Sequence, residues 1–120
     1  MALPWVRLDT AFPRNHKVLA LIADKKWQAV TTYISSLAYA GEQGSDGFLP
    51  APSLPFIHGT PRIADALVEV GLWRGVPGGW EINGWLEFQA SSEEHVKRSQ
   101  RARAAAEMRW HGDKQKKGGK

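Results

Sequence analysis

Residues 60–71 carry signals for both ends of one helix. Thr60 is a favoured N-cap residue and Pro61 suits the first helical position, where its missing N–H costs nothing. Gly71 stands where a glycine ends a helix in the left-handed conformation. The pattern predicts a helix over 61–70. We expect its buried side to hold Ile63, Ala64, Leu67, Val68 and Val70, and its exposed side Arg62, Asp65, Ala66 and Glu69.

A hairpin is predicted directly after this helix. The runs Leu72 to Val76 and Trp80 to Ile82 have strand length, and Pro77-Gly78-Gly79 forms the turn between them. The hairpin region carries Trp73, Trp80 and Trp85, which could stack on bases or close a core. We expect the core role, because tryptophans in a short hairpin are usually buried.

Two helices are predicted before this unit. Asn15 is a plausible N-cap for His16 to Ala23, and Asp24 is expected to cap a longer helix that ends near Gly41. The opening W-V-R-L-D is consistent with either a short strand or an extended arm. The spacing of apolar residues predicts a buried face on the longer helix, made of Trp27, Val30, Ile34, Leu37 and Ala38.

A further strand is predicted between the two N-terminal helices and the helix over 61–70. There the turn residues 44–47 precede a short F-L-P strand. Ser53 then opens a short helix that Gly59 is expected to stop. The order is therefore helix, helix, strand, short helix, capped helix, strand, turn, strand. This order predicts a mainly α fold with a small β-wing, a winged helix-turn-helix domain over residues 1–90.

The positive charge lies at the C-terminal end of the chain. Residues 1–90 carry seven basic and eight acidic side chains, whereas residues 91–120 carry nine basic and four acidic. Ser91 and Glu94 have capping-box spacing, which predicts a basic helix over 91–111 followed by a disordered basic tail over 112–120. This asymmetry favours a polyanionic partner, with a solubilising terminus as the alternative.

Several motifs resemble a family of short actinobacterial and actinophage proteins. They are W-V-R-L-D, H-K-V-L-A-L, D-G-F-L-P, L-V-E-V-G-L-W, G-G-W-E-I-N-G-W-L-E-F-Q and a basic helix ending in R-W, and together they cover most of residues 3–111. The family is one of winged helix-turn-helix, phage replication-initiation-like proteins. The resemblance implies a DNA-binding fold and a role in phage or prophage DNA transactions.

The candidate DNA contacts follow from charge and position. The helix over 61–70 would enter the major groove, but one arginine against two acids makes a poor groove-reading face. In the basic helix, by contrast, Lys97, Arg98, Arg101 and Arg109 share about a third of the circumference. We therefore expect binding mainly to the backbone of double-stranded DNA. The candidate contacts are Lys97, Arg98, Arg101, Arg103, Arg109, Lys114, Lys116, Lys117, Arg62, Arg74 and Thr60.

Other kinds of function find little support in the sequence. The chain has no cysteine, its four histidines lack metal-ligand spacing, and no catalytic or phosphate-loop motif is present. No run is long enough to cross a bilayer and the start does not resemble a signal peptide. We therefore expect neither an enzyme nor a bound metal or cofactor, no membrane partner, and a location in the host bacterial cytoplasm at the nucleoid.

The sequence leaves two functions open. The first is a DNA-binding protein of low sequence specificity that serves replication initiation, DNA coating or transcription control. The second is a protein-interaction module that engages host RNA polymerase or a replicative helicase through the acidic side of the helix over 61–70 and the tryptophan-rich hairpin. A homodimer is compatible with either function.

Overall fold

The computed structural model describes residues 2–89, 100–101 and 103–105. The helices are α1 (His16–Ala23), α2 (Trp27–Gln43), α3 (Pro61–Val70) and α4 (Trp85–Phe88), with 3-10 helices at Phe12–Arg14 and Ala51–Ile57. The strands are β1 (Phe48–Pro50), β2 (Trp73–Val76) and β3 (Gly79–Ile82). Within the described ranges the chain is mostly helical and carries one small sheet, as the sequence predicts.

The sheet is antiparallel and has the order β1-β3-β2. Trp73 lies opposite Ile82 in the β2–β3 hairpin, and Phe48 lies opposite Glu81 where β1 pairs with β3. The turn is Pro77-Gly78, and Gly78 has a φ of 86°, which a side chain would strain. The hairpin and the F-L-P strand are thus confirmed, with strand ends shifted by one residue.

Helix α3 begins and ends where its capping signals predict. The Thr60 hydroxyl accepts a hydrogen bond from the Ile63 N–H at 3.2 Å, and Gly71 closes the helix in the left-handed conformation. The predicted faces need one correction: Ala66 is buried and Val68 is exposed. Ala66 and Val68 lie about 100° from Leu67 on opposite sides of the helix, so periodicity alone does not decide which of the two is buried.

The predicted buried face of α2 is wrong at three of its five positions, whereas Leu37 is buried and Val30 packs partly buried against the core. Trp27 is 60% exposed and Ile34 is 43% exposed, and Ala38 is also exposed. The face that meets the core is instead made of small and polar residues, with Leu37 at its edge: Ala29, Thr32, Ser36, Leu37, Ala40 and Gly41. Small side chains allow other elements to approach the helix backbone closely, so packing selects this face over the one with larger apolar residues.

The start of α2 also differs from the prediction. Asn15 caps α1 as expected, since its side chain accepts from the Lys17 N–H at 2.8 Å. Asp24, however, is the C-cap of α1 and does not cap α2. Lys25 has a φ of 59°, so the chain turns there, and α2 begins after Lys26 without a side-chain cap.

The core forms where the hairpin meets the small-residue face of α2. Trp73 is 1% exposed, and its indole N–H donates to the Ser36 hydroxyl at 3.3 Å. Ser36 is fully buried and donates in turn to the Tyr33 carbonyl. Trp85 is buried and Trp80 is partly buried. The expected core role of the hairpin tryptophans is therefore confirmed for Trp73 and Trp85, and in part for Trp80.

The segment between β1 and α3 is a 3-10 helix. Pro55 lies inside it and has no N–H to donate, which fits a short helix of this type. The helix begins at Ala51, before the predicted start at Ser53. It ends at His58, whose φ is 60°, and not at Gly59 as predicted.

Residues 2–9 form an extended arm, the N-terminal arm, and these residues include no strand. The Leu3 N–H donates to the Gly41 carbonyl at 2.7 Å, which places the arm across the end of α2. Gln89 makes the second contact that holds the arm. Its side-chain oxygen accepts from the Arg7 N–H at 2.7 Å, and its side-chain nitrogen donates to the Arg7 carbonyl at 2.6 Å. Because Gln89 is 6% exposed, this pair satisfies a buried amide at both of its ends.

Parts of the predicted C-terminal helix are described. Residues 100–101 and 103–105 are helical and exposed, in agreement with the prediction. The predicted capping box at Ser91 and Glu94 and the predicted disordered tail over 112–120 lie outside the described residues. So do both predicted boundaries that divide the chain at 90 and 111.

Two glycines of the hairpin allow a matched test of how closely β1 approaches β3. A Cβ at Gly79 would clash with the Leu49 carbonyl oxygen of β1, whereas a Cβ at Gly75 would meet no atom within 4 Å. We expect Gly79→Ala to lower the free energy of unfolding by about 1–3 kcal/mol, because backbone atoms of β1 must move. Gly75→Ala should leave it unchanged or raise it by about 0.5 kcal/mol. Urea unfolding followed by circular dichroism measures both, and equal effects would contradict the close approach of β1 to β3.

Candidate nucleic-acid interface

The outward face of α3 carries the charge that the sequence predicts. Arg62, Asp65 and Glu69 are all exposed. Arg62 lies in the first turn, where the backbone N–H groups at the helix start add to its positive potential. The two acids lie further along the same face, so this face offers one cation against two carboxylates to an approaching DNA groove.

The start of α3 is fixed against α2 through the carbonyl of His58. Gln28 donates to this carbonyl at 3.2 Å and Thr32 donates to it at 3.0 Å. His58 is exposed beside this contact. These two bonds hold the turn before α3 in one position and place the N-terminal end of α2 next to it.

This arrangement brings together exposed groups that the sequence reasoning missed. Lys25 and Lys26 directly precede α2 and therefore lie close to Gln28, which reaches the turn at His58. Lys26 has a carboxylate neighbour in Asp24, 3.9 Å away, but both side chains are largely exposed and the pair contributes little. No local sequence signal links residues 25–26 to residue 58, because their proximity depends on how α2 packs.

The Thr60 hydroxyl already has a structural partner. It accepts from the Ile63 N–H and so satisfies one of the open donors at the start of α3. Its hydroxyl hydrogen can still donate to an acceptor such as a phosphate oxygen. The position therefore combines a helix cap with the predicted phosphate contact.

The hairpin offers little positive charge. Arg74 pairs with Glu81 directly across the β2–β3 ladder, and both side chains are partly exposed. The tip at Pro77 and Gly78 carries no charge. A DNA contact by Arg74 would thus have to compete with a neighbouring carboxylate.

The predicted cations of the C-terminal helix are described in part. Arg101 and Arg103 are helical and exposed, and neither forms an ion pair with an acid in the described part of the chain. The other predicted contacts in this region lie outside the described residues: Lys97, Arg98, Arg109, Lys114, Lys116 and Lys117.

The described residues also bear on metal sites and on membrane spans. Among residues 2–89, 100–101 and 103–105, no three histidine or acidic side chains are placed to hold a metal ion together. None of the helices in these ranges combines the length and the apolar character that a membrane span needs.

No protein-family model, no curated protein and no solved structure matches the chain. The resemblance to actinophage replication-initiation-like proteins accordingly stays a prediction from the motifs.

Substitution of Thr60 tests its role as the cap of α3. We expect Thr60→Ala to lower the free energy of unfolding by about 1 kcal/mol, because the Ile63 N–H loses its partner. Thr60→Ser keeps the hydroxyl and should stay within about 0.5 kcal/mol of the wild type. Thermal unfolding of the three proteins tests this, and an unchanged stability of the alanine variant would show that the cap contributes nothing.

Proposed function

We propose that the protein is a winged-helix DNA-binding protein that binds mainly the DNA backbone with low sequence specificity. The observation that carries the proposal is the sheet order β1-β3-β2 combined with the order of the helices. In a winged helix, a strand follows the first helix, two further helices come next, and a hairpin then pairs with that strand. Helix α2, β1, the 3-10 helix, α3 and the β2–β3 hairpin have this arrangement.

In this arrangement α3 would be the helix that faces the major groove. Its turn is held against α2 through the His58 carbonyl, and its first turn is capped by Thr60. Asp65 and Glu69, however, would face the phosphates or the groove. Since phosphate neutralisation supplies much of the affinity for DNA, α3 would orient the domain more than it would bind.

The affinity would come mainly from the C-terminal region. The nine cations of residues 91–120 outnumber its acids by five, and no acid lies between Glu94 and Glu107. Exposure of Arg101 and Arg103 supports this assignment, because neither is used by the described part of the domain. Such charge favours double-stranded DNA in the host cytoplasm and suits replication initiation, DNA coating or transcription control.

The salt dependence of binding tests this proposal. If about five phosphates are neutralised, the logarithm of affinity should fall with the logarithm of salt concentration at a slope near −4 to −5. Arg98→Gln/Arg101→Gln should make this slope shallower by about 2, because each lost phosphate contact removes about 0.9. Electrophoretic mobility assays with specific, random and single-stranded probes across a salt series give the slopes.

The matched control removes the same charge from the N-terminal part of the domain. Arg7→Gln/Arg14→Gln should leave the slope within about 0.5 of the wild-type value, since neither residue belongs to the proposed DNA surface. A slope near zero for the wild-type protein would overturn the proposal. Equal losses in the two double variants would show that overall charge acts, without a defined surface.

A second candidate function has its own observation. The outward face of α2 carries exposed Trp27 and Ile34, and Phe56 beside this helix is 76% exposed. Residues 27–41 include no charged side chain. Uncharged surface with exposed aromatics favours contact with another protein, for which host RNA polymerase or a replicative helicase are the candidates. This face differs from the hairpin surface that the sequence suggested, since Trp73 and Trp85 are buried.

Purified, nuclease-treated RNA polymerase and replicative helicase test the second candidate. Trp27→Gln/Phe56→Gln should weaken binding to one of them at least about tenfold, because these side chains would be central to the contact. Leu86→Gln removes an exposed apolar side chain from α4 and should have no effect. Calorimetry measures both. If neither purified protein binds, this candidate is removed and the DNA proposal stays intact.

A further inference from the structure

A cavity of about 300 Å³ lies between three segments that are distant in the sequence. The N-terminal region 7–17 forms one side, the middle of α2 forms the second, and residues 71–72 and 82–89 form the third. Its volume is at the lower end of the range of small-molecule sites. None of the described candidate DNA contacts is among the residues that line the cavity.

The inner wall of the cavity is apolar. Leu37, Leu72 and Ile82 are buried side chains that line it. Phe12 and Tyr33 also line it and stack on each other with their ring centroids 5.6 Å apart and an angle of 6° between planes. Burial raises the pKa of Tyr33, so its phenol remains uncharged at neutral pH. This wall suits a ligand with an aromatic or aliphatic body.

The cavity is also enriched in positive charge. Arg7, Arg14 and Lys17 line it, and Asp9 is its one acidic residue among the described lining residues. Thus three of the seven cations of residues 1–90 meet here with one of the eight acids, although that part of the chain is net negative. This distribution gives the cavity a local positive potential that the domain as a whole does not have.

The cations differ in how far they are already engaged. The Lys17 ammonium donates to the Gly71 carbonyl at 3.1 Å, and the Arg7 guanidinium lies 5.9 Å from the Trp5 ring. Asp9 accepts from the Ala11 N–H at 2.6 Å. Arg14 is exposed and forms no ion pair within the described residues, so its guanidinium is the group best placed to pair with an incoming anion.

We propose that this cavity binds a small organic anion: a carboxylate with an aromatic body, held by Arg14 at the rim and by the apolar wall inside. Arg14 provides planar, two-point recognition of the carboxylate. The wall formed by Phe12, Tyr33 and Leu37 accepts the body. This site is a property of the domain alone and does not depend on whether the chain binds DNA.

Calorimetry on the full chain with 1-naphthoate as the probe tests the proposal. We expect saturable binding at one site per chain. The neutral analogue 1-naphthalenemethanol should bind at least about tenfold more weakly, because it lacks the charge that pairs with Arg14. Inorganic phosphate should not compete, since it has no apolar body. The indole N–H resonance of Trp85, which lines the cavity, should shift on titration with 1-naphthoate.

Two variants with the same change of charge locate the site. Arg14→Gln should weaken 1-naphthoate binding about tenfold and leave the neutral analogue unaffected. Arg62→Gln removes an exposed cation from α3 and should change neither. Absence of saturable binding, equal binding of the neutral analogue, competition by phosphate, or equal weakening in the two variants would each overturn the proposal.

Discussion

The fold depends on the contact between Trp73 and the small-residue face of α2. The Trp73 indole reaches this helix at Ser36, whose hydroxyl accepts the indole N–H, and it belongs to one core with Ala29, Leu37 and Ala40. Burial of an aromatic side chain of this size is a major source of stability in a small domain, and its polar N–H must find a partner there. Once β2 is fixed in this way, β3 follows through the hairpin and β1 through its pairing with β3.

Local sequence signals predicted the elements whose ends carry capping or turn residues. The ends of α3 follow from Thr60, Pro61 and Gly71, and the hairpin follows from Pro77-Gly78, because capping and turn chemistry act within a few residues. The buried face of α2 could not be predicted by periodicity. Trp27 and Ile34 lie outward, because α1, α3 and the 3-10 helix at Ala51–Ile57 pack against α2 and its buried face is made mostly of small side chains.

The candidate sites depended even more on tertiary structure. The sequence nominated Thr60, Arg62 and Arg74, and the first and last of these already have partners in Ile63 and Glu81. The contact of Gln28 and Thr32 with the His58 carbonyl, and the cavity beside Arg14, could not be foreseen. Each joins residues from distant parts of the chain, and only the packing of α2 and the N-terminal arm brings them together.

The pairing of Gln89 with the Arg7 backbone has a consequence for how the chain leaves the domain. Two hydrogen bonds, at 2.7 and 2.6 Å, join the Gln89 side chain to the backbone of the N-terminal arm, so this side chain can leave its place only if both bonds break or the arm moves with it. The N-terminal arm therefore holds Gln89, the last residue of the described range 2–89, against the domain. A fusion partner or a truncation that displaces the arm at Arg7 would therefore break both bonds and expose the buried Gln89 amide.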